Sequence, residues 1–188
     1  MNSLKKMSKK MVISIVASTV ALSFGIGFTN GQKLREIHIQ KEVLIHGSLE
    51  DVYEQVVFLK NFPSWSPFLE ADPSQEIEIK GIDGAIGAQY HWVGNKGKDV
   101  GFQEIKEVKP LKYVKMGCDI QKPFTAKPVF EYRFQKVGAD IKVTQDFYLT
   151  SGKVDAFFMW VFGAKKSMSA MNQRGMELLK KAVENGES

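Results

Sequence analysis

The chain has 188 residues and a formal charge of +5, from 26 basic and 21 acidic side chains, with a single cysteine. One domain with length enough to bury a core is expected, and the lone Cys118 excludes an intramolecular disulfide. The charge does not point to nucleic acid. Lys5, Lys6, Lys9 and Lys10 stand in residues 1–32 without an acid, and the remainder holds 22 basic against 21 acidic residues, so the folded part is near neutral.

Met11–Phe28 follows these lysines as 18 residues without a charge, at the lower edge of what spans a bilayer. Terminal runs of this kind are targeting segments rather than core helices. Uncleaved, the run anchors the protein in a membrane with lysines inside and the domain on the extracytoplasmic side, periplasmic or extracellular. Cleavage after Ala21-Leu22-Ser23 is the alternative and gives a secreted protein. Continuation of the apolar run through Phe24, Ile26 and Phe28 favours the anchor. Residues 1–32 are thus read as leader and linker, and 33–188 as the domain.

Ile37, Ile39, Val43 and Ile45 alternate as in a first strand, with Lys41 in phase. Ser48 with Asp51 forms a short-acid variant of a capping box. Leu49, Val52, Tyr53, Val56, Val57 and Leu59 then recur at helical spacing. Asn61–Phe68 packs three aromatics and two prolines into eight residues, which breaks the helix. Such a turn either plugs the core or walls a pocket.

Six strand-like runs follow, separated by turn residues: 75–80, 88–93, 99–108, 112–120, 126–137 and 141–150. Their spacing describes an antiparallel meander. Alternation turns Tyr90 and Trp92 inward, then Phe130, Tyr132 and Phe134, then Ile141, Val143, Phe147 and Leu149. Val100 and Phe102 share a phase that Ile105 breaks, so a bulge is expected near Gln103–Glu104. Cys118 falls in an apolar strand pattern and reads as a buried, inert thiol.

The chain closes on an amphipathic stretch. Phe157, Val161, Ala164, Met168, Met171, Gly175, Leu178 and Ala182 recur every three or four residues, opposite Lys165, Lys166, Gln173, Glu177, Lys180, Lys181 and Glu184. From Ala164 to Glu184 the helix is about 30 Å long. It needs a surface to lie on, and the meander supplies one. Phe157–Phe162 is apolar all round; it is either buried at the end of the sheet or a lip that gates a pocket or touches a membrane.

Four stretches together resemble the SRPBCC superfamily, the START-like or polyketide-cyclase/dehydrase-like domains with the helix-grip fold. They are the first strand with Ser48-Leu49-Glu50-Asp51-Val52-Tyr53; the Asn61–Pro67 turn, with Phe62 where Trp is common; Gly87–Trp92 with Gly101–Ile105 and Pro110; and Gly175–Lys180. The resemblance covers about residues 36–184. It implies an α+β helix-grip fold, a curved antiparallel sheet of about seven strands around the terminal helix, and a deep apolar cavity between them. Relatives bind lipids, sterols, polyketides or other hydrophobic molecules, and a minority catalyse cyclisation or dehydration.

The chemistry-bearing residues are sparse. His38, His46 and His91 alternate out of phase with their apolar neighbours. No zinc-ligand spacing, nucleophile elbow or phosphate loop is present, so no metal or cofactor is expected. Gln145 lies on the inward phase, either bonded to backbone or facing a ligand; Arg133 and Glu131 lie on the solvated side. With the cavity implied by the resemblance, its expected lining is Trp65 and Phe68 of the turn, Tyr90 and Trp92, Phe130, Tyr132 and Phe134, Gln145 and Phe147, and Met168, Met171 and Gly175 of the helix. The expected function is binding of a hydrophobic small molecule or lipid. Its rivals are a cyclase/dehydrase-like enzyme using Gln145 or Glu104, and an envelope interaction module with a closed cavity.

Overall fold

The structure, a computed structural model, describes residues 29–186. The Met11–Phe28 run and the candidate cleavage site lie outside them. No helix among the described residues is long and apolar enough to cross a membrane. The elements in order are β1 (Glu36–His46), α1 (Leu49–Val57), α2 (Pro67–Ala71), β2 (Glu76–Lys80), β3 (Gln89–Gly94), β4 (Asp99–Lys109), β5 (Tyr113–Lys122), β6 (Val129–Val137), β7 (Asp140–Thr150), α3 (Lys153–Val161) and α4 (Ala164–Gly186). A 3₁₀ turn, Leu59–Ser64, links α1 to α2. The described chain divides into a larger unit, 36–150 with 165–186, and a smaller one, 29–35 with 151–164.

In the larger unit the seven strands form one antiparallel sheet in the order β1-β7-β6-β5-β4-β3-β2. The meander is as the turn residues predict, and β1 closes it by pairing with β7. The register explains the alternation in the sequence: Ile37 faces Leu149, Ile39 Phe147, Val43 Val143 and Ile45 Ile141. Cross-strand partners share a face, so both strands bury their apolar sets together. The curved sheet grips α4, whose Met176, Leu179 and Val183 join Ile45, Val114, Phe134 and Ile141 in the core. This is the expected α+β helix-grip architecture.

Ser48 caps α1 as predicted, its Oγ accepting from Asp51 N at 3.0 Å. The bulge falls later than expected. The β4–β5 register slips between Ile105 and Glu107, leaving Lys106 as the extra residue, and slips again at Val100/Gly101. Gly101, Gln103 and Ile105 therefore point inward, while Phe102 turns outward to stack on His91 at 5.1 Å. Gly101 is obligatory there, because an added Cβ would sit 2.5 Å from the Trp92 ring and 2.6 Å from Asp119 O. β6 also starts three residues late, at Val129, with Ala126 making only an isolated bridge to Ile120.

On the outer face Asp146 is almost wholly buried, its side chain 1% exposed. It accepts from Gln40 Nε2 at 3.0 Å, lies 2.6 Å from His38 Nε2 and is bonded by Arg133. Arg133 and Glu131 thus face away from the core as expected, but Arg133 is tied into a polar network rather than merely solvated.

In the smaller unit, Gly31 lies against α3: an added Cβ would approach Phe157 Cα to 2.8 Å. Ser151 N donates to Arg35 O at 2.8 Å and Ser151 Oγ to Leu34 O at 3.1 Å. The terminal helix is not continuous from Phe157. Gly163 takes φ +64°, a conformation that ends α3 and starts α4 afresh. Within the apolar segment Phe157 and Met159 are half-buried, while Phe158, Trp160, Val161 and Phe162 are exposed, Phe162 by 78%.

Candidate ligand-binding site

A cavity of about 350 Å³ lies in the larger unit, bounded by the sheet, the 59–71 turn region and α4. That is at the low end of the range for small-molecule pockets.

Local sequence chemistry builds the turn wall. Asp83, from the β2–β3 connection, accepts from Leu59 N at 2.6 Å and Lys60 N at 3.2 Å. This carboxylate satisfies N–H groups that no helix carbonyl reaches. Ser66 then caps α2, with Pro67 as its first residue. Trp65 is fixed between them, with Nε1 donating to Gln55 O at 3.0 Å. Its ring stands edge-on to Phe62 at 4.8 Å and to Tyr132 at 6.1 Å, and Phe62 meets Tyr90 at 5.1 Å. The aromatic turn is thus both core plug and cavity wall.

The helix wall comes from Met168, Met171, Asn172 and Gly175. Gly175 lies beside Pro67 of α2, where an added Cβ would make ordinary contact at 3.4 Å. Arg174 clamps the same junction from outside, Nε to Glu70 Oε2 at 2.8 Å. That bond holds the Glu70 carboxyl below its ordinary range. The buried seam of α4 is Asn172, Gly175, Met176, Leu179 and Val183. Below Gly175 it is turned by about one residue, roughly 100°, from the expected Leu178–Ala182 line.

Of the expected lining, Trp65, Phe68, Tyr90, Trp92, Phe130, Tyr132, Gln145, Phe147, Met168, Met171 and Gly175 all border the cavity. Phe134 does not. It shares the phase of Phe130 and Tyr132 but lies farther along β6, edge-on to Tyr53 of α1 at 5.5 Å. Phe62, Gln103, Cys118, Asp99, Asn172 and the β5–β6 loop residues Pro123, Phe124, Ala126 and Pro128 also line it, though no strand alternation marked them as walls. Two of them carried another signal: Phe62 belongs to the aromatic turn read as a plug or a pocket wall, and Gln103 lies where the broken phase at Ile105 placed a bulge. The lining reaches solvent at Phe68 and Phe124, which are 45% and 60% exposed.

The polar groups of the cavity are mostly neutral, with the Asp99 carboxyl the exception. Gln145 Nε2 donates to Tyr132 Oη at 2.9 Å, and Gln103 Nε2 lies 3.1 Å from Met116 Sδ. Burial pushes the Tyr90 hydroxyl and the Cys118 thiol up to about 12, and raises Tyr132 as well, so all three keep their protons near neutrality. Cys118 is then no nucleophile. Asp99, at the rim, accepts from Trp92 Nε1 at 3.0 Å. Glu104 lies on the outer side, bonded to Gln89 Nε2 at 3.1 Å and paired with Lys106 at 2.8 Å. It is therefore not available to an enzyme acting in the cavity. No group of three or more candidate metal ligands occurs among the described residues. The arrangement encloses apolar matter and offers it a few neutral hydrogen-bonding groups.

No family model matches the sequence, and no curated protein matches it. Solved structures do match. A protein of unknown function from Staphylococcus aureus superposes with a TM-score of 0.62 at 18% identity, over 81% of this chain and 96% of that one. Ara h 8.0201 gives 0.51 at 14%, over 77% and 98%. DynU16, a protein of the dynemicin biosynthetic locus, gives 0.55 at 13%, over 79% of this chain but 48% of its own. At these identities the likeness establishes the helix-grip fold alone.

Proposed function

We propose that this chain is a START-like domain of the SRPBCC type that binds a hydrophobic small molecule or lipid in its cavity. One observation carries the reading: the sheet, the turn and α4 surround about 350 Å³ with aromatic and thioether side chains and no acid–base pair. A protein that only needed a core would close such a space, because unfilled apolar volume destabilises. The ligand enters between Phe68 and Phe124. Native mass spectrometry of the full chain, followed by organic extraction, is expected to recover an apolar molecule bound one to one. A chain that carries none, and whose melting temperature no apolar compound shifts, sinks this reading in favour of a closed interaction module.

The protein works at a membrane, held by Met11–Phe28 with its domain on the extracytoplasmic side. The smaller unit favours this. Gly31, three residues after the apolar run, packs on α3, and α3 with the residue after it exposes Val154, Phe158, Trp160, Val161 and Phe162. An apolar helix face beside the end of an anchor lies at the interface, with Trp160 at headgroup depth. In vesicles containing brominated phosphatidylcholine, the full chain should show tryptophan quenching that Trp160→Phe removes, leaving Trp65 and Trp92 bright. Equal quenching of both chains would exclude the contact.

A further inference from the structure

The cavity is apolar, yet two of its deepest polar atoms have no partner in the protein: Tyr90 Oη and Gln145 Oε1. Both residues line it, and they are 2% and 3% exposed. Buried polar groups are nearly always hydrogen-bonded, so each unpaired one calls for a cause. Here both sit on the wall of a space of ligand size. They stand apart on that wall, Gln145 on β7 and Tyr90 on β3 with three strands between them, and Gln145 is the one whose other end is already held, by Tyr132.

From the Gln145 amide we infer that the ligand is an uncharged hydrophobic alcohol or phenol whose hydroxyl is received by Gln145. This rests on the cavity-binding reading above and narrows it. The Gln145 amide spends one end on Tyr132 Oη. With Nε2 donating there, Oε1 remains and asks for a donor. With the amide turned over, Tyr132 donates to Oε1 and the NH₂ remains, asking for an acceptor. A hydroxyl answers either arrangement, because it both donates and accepts. A ketone can only accept.

Charge narrows the class further. The lining contains no Lys, Arg or His, and Tyr90, Tyr132 and Cys118 stay protonated. An ionised carboxylate or phosphate at this depth would be desolvated without a counter-charge, which is far costlier than burying a neutral hydroxyl. Asp99 at the rim adds a negative group rather than a positive one. Fatty acids and phospholipid headgroups are therefore excluded from the deep end, and a long-chain or polycyclic alcohol fits it.

Three probes on one ring skeleton test this: naphthalene, 2-naphthol and 2-naphthoate. They are added at equal concentrations to the full chain in lipid nanodiscs, and the ligand-induced rise in melting temperature is read as an affinity. The native chain should bind 2-naphthol about tenfold more tightly than naphthalene and 2-naphthoate most weakly. Gln145→Leu and the closer-sized Gln145→Met should each erase most of the naphthol advantage, while naphthalene binding stays within about twofold. Equal binding of naphthol and naphthalene overturns the inference, as it would if water already answers both groups. So does naphthoate binding as well as naphthol, or an unchanged ratio in Gln145→Met. Failure of all three probes to bind overturns the cavity reading itself, which is a different result from loss of the preference.

Discussion

Replacing Trp65 with alanine is expected to cost about 3–5 kcal/mol of folding stability, the range for removing a fully buried large aromatic. Trp65 is 2% exposed, and its indole occupies the corner where the Leu59–Ser64 turn, α2 and the sheet meet. The change deletes its edge-on contacts to Phe62 and Tyr132 and leaves Gln55 O without its donor. Urea unfolding should show the transition midpoint falling sharply with little change in slope. Trp65→Phe should recover much of the packing but not the hydrogen bond, leaving a deficit of about 1–2 kcal/mol. A loss below about 1 kcal/mol for the alanine variant would mean that the corner is not a keystone of the fold.

Met171→Trp should abolish most ligand binding while leaving the fold intact. Met171 is a half-buried wall of the cavity, where a flexible thioether adapts to what lies beside it. An indole there takes up volume the ligand needs, and overpacking of that order weakens affinity by about 10–100-fold. Titration with the neutral fluorophore N-phenyl-1-naphthylamine reads the affinity, and thermal unfolding checks the fold. Lys181→Trp, on the exposed side of α4, controls for the added aromatic. Native-like binding by Met171→Trp would place the ligand elsewhere.

Much of this was legible in the chain because it depends on near neighbours. Strand alternation needs only the pleat, so Tyr90, Trp92, Tyr132, Gln145 and Phe147 declared their side before any partner strand was known. Ser48 announced its helix because a cap acts over three residues. Phe134 shows the limit. Its phase is that of Tyr132, but phase names a face and not what covers it, and α1 covers it with Tyr53. Phe124 and Asp99 carried no such signal, since curvature of the sheet, set by all its strands, brings those segments to the cavity.

The sequence by itself determined the seven strands, the capped first helix, the helix-breaking aromatic turn and the long terminal helix, because each rests on backbone periodicity or on contacts within a few residues. Only the tertiary structure decided the rest. The turned seam on α4 follows from which surfaces the helix meets, and the slip at Lys106 follows from pairing with β5. The unpartnered atoms of Tyr90 and Gln145 emerge only when strands distant in sequence close around them. A hydrogen bond left unmade is a property of the whole enclosure, and no local pattern encodes it.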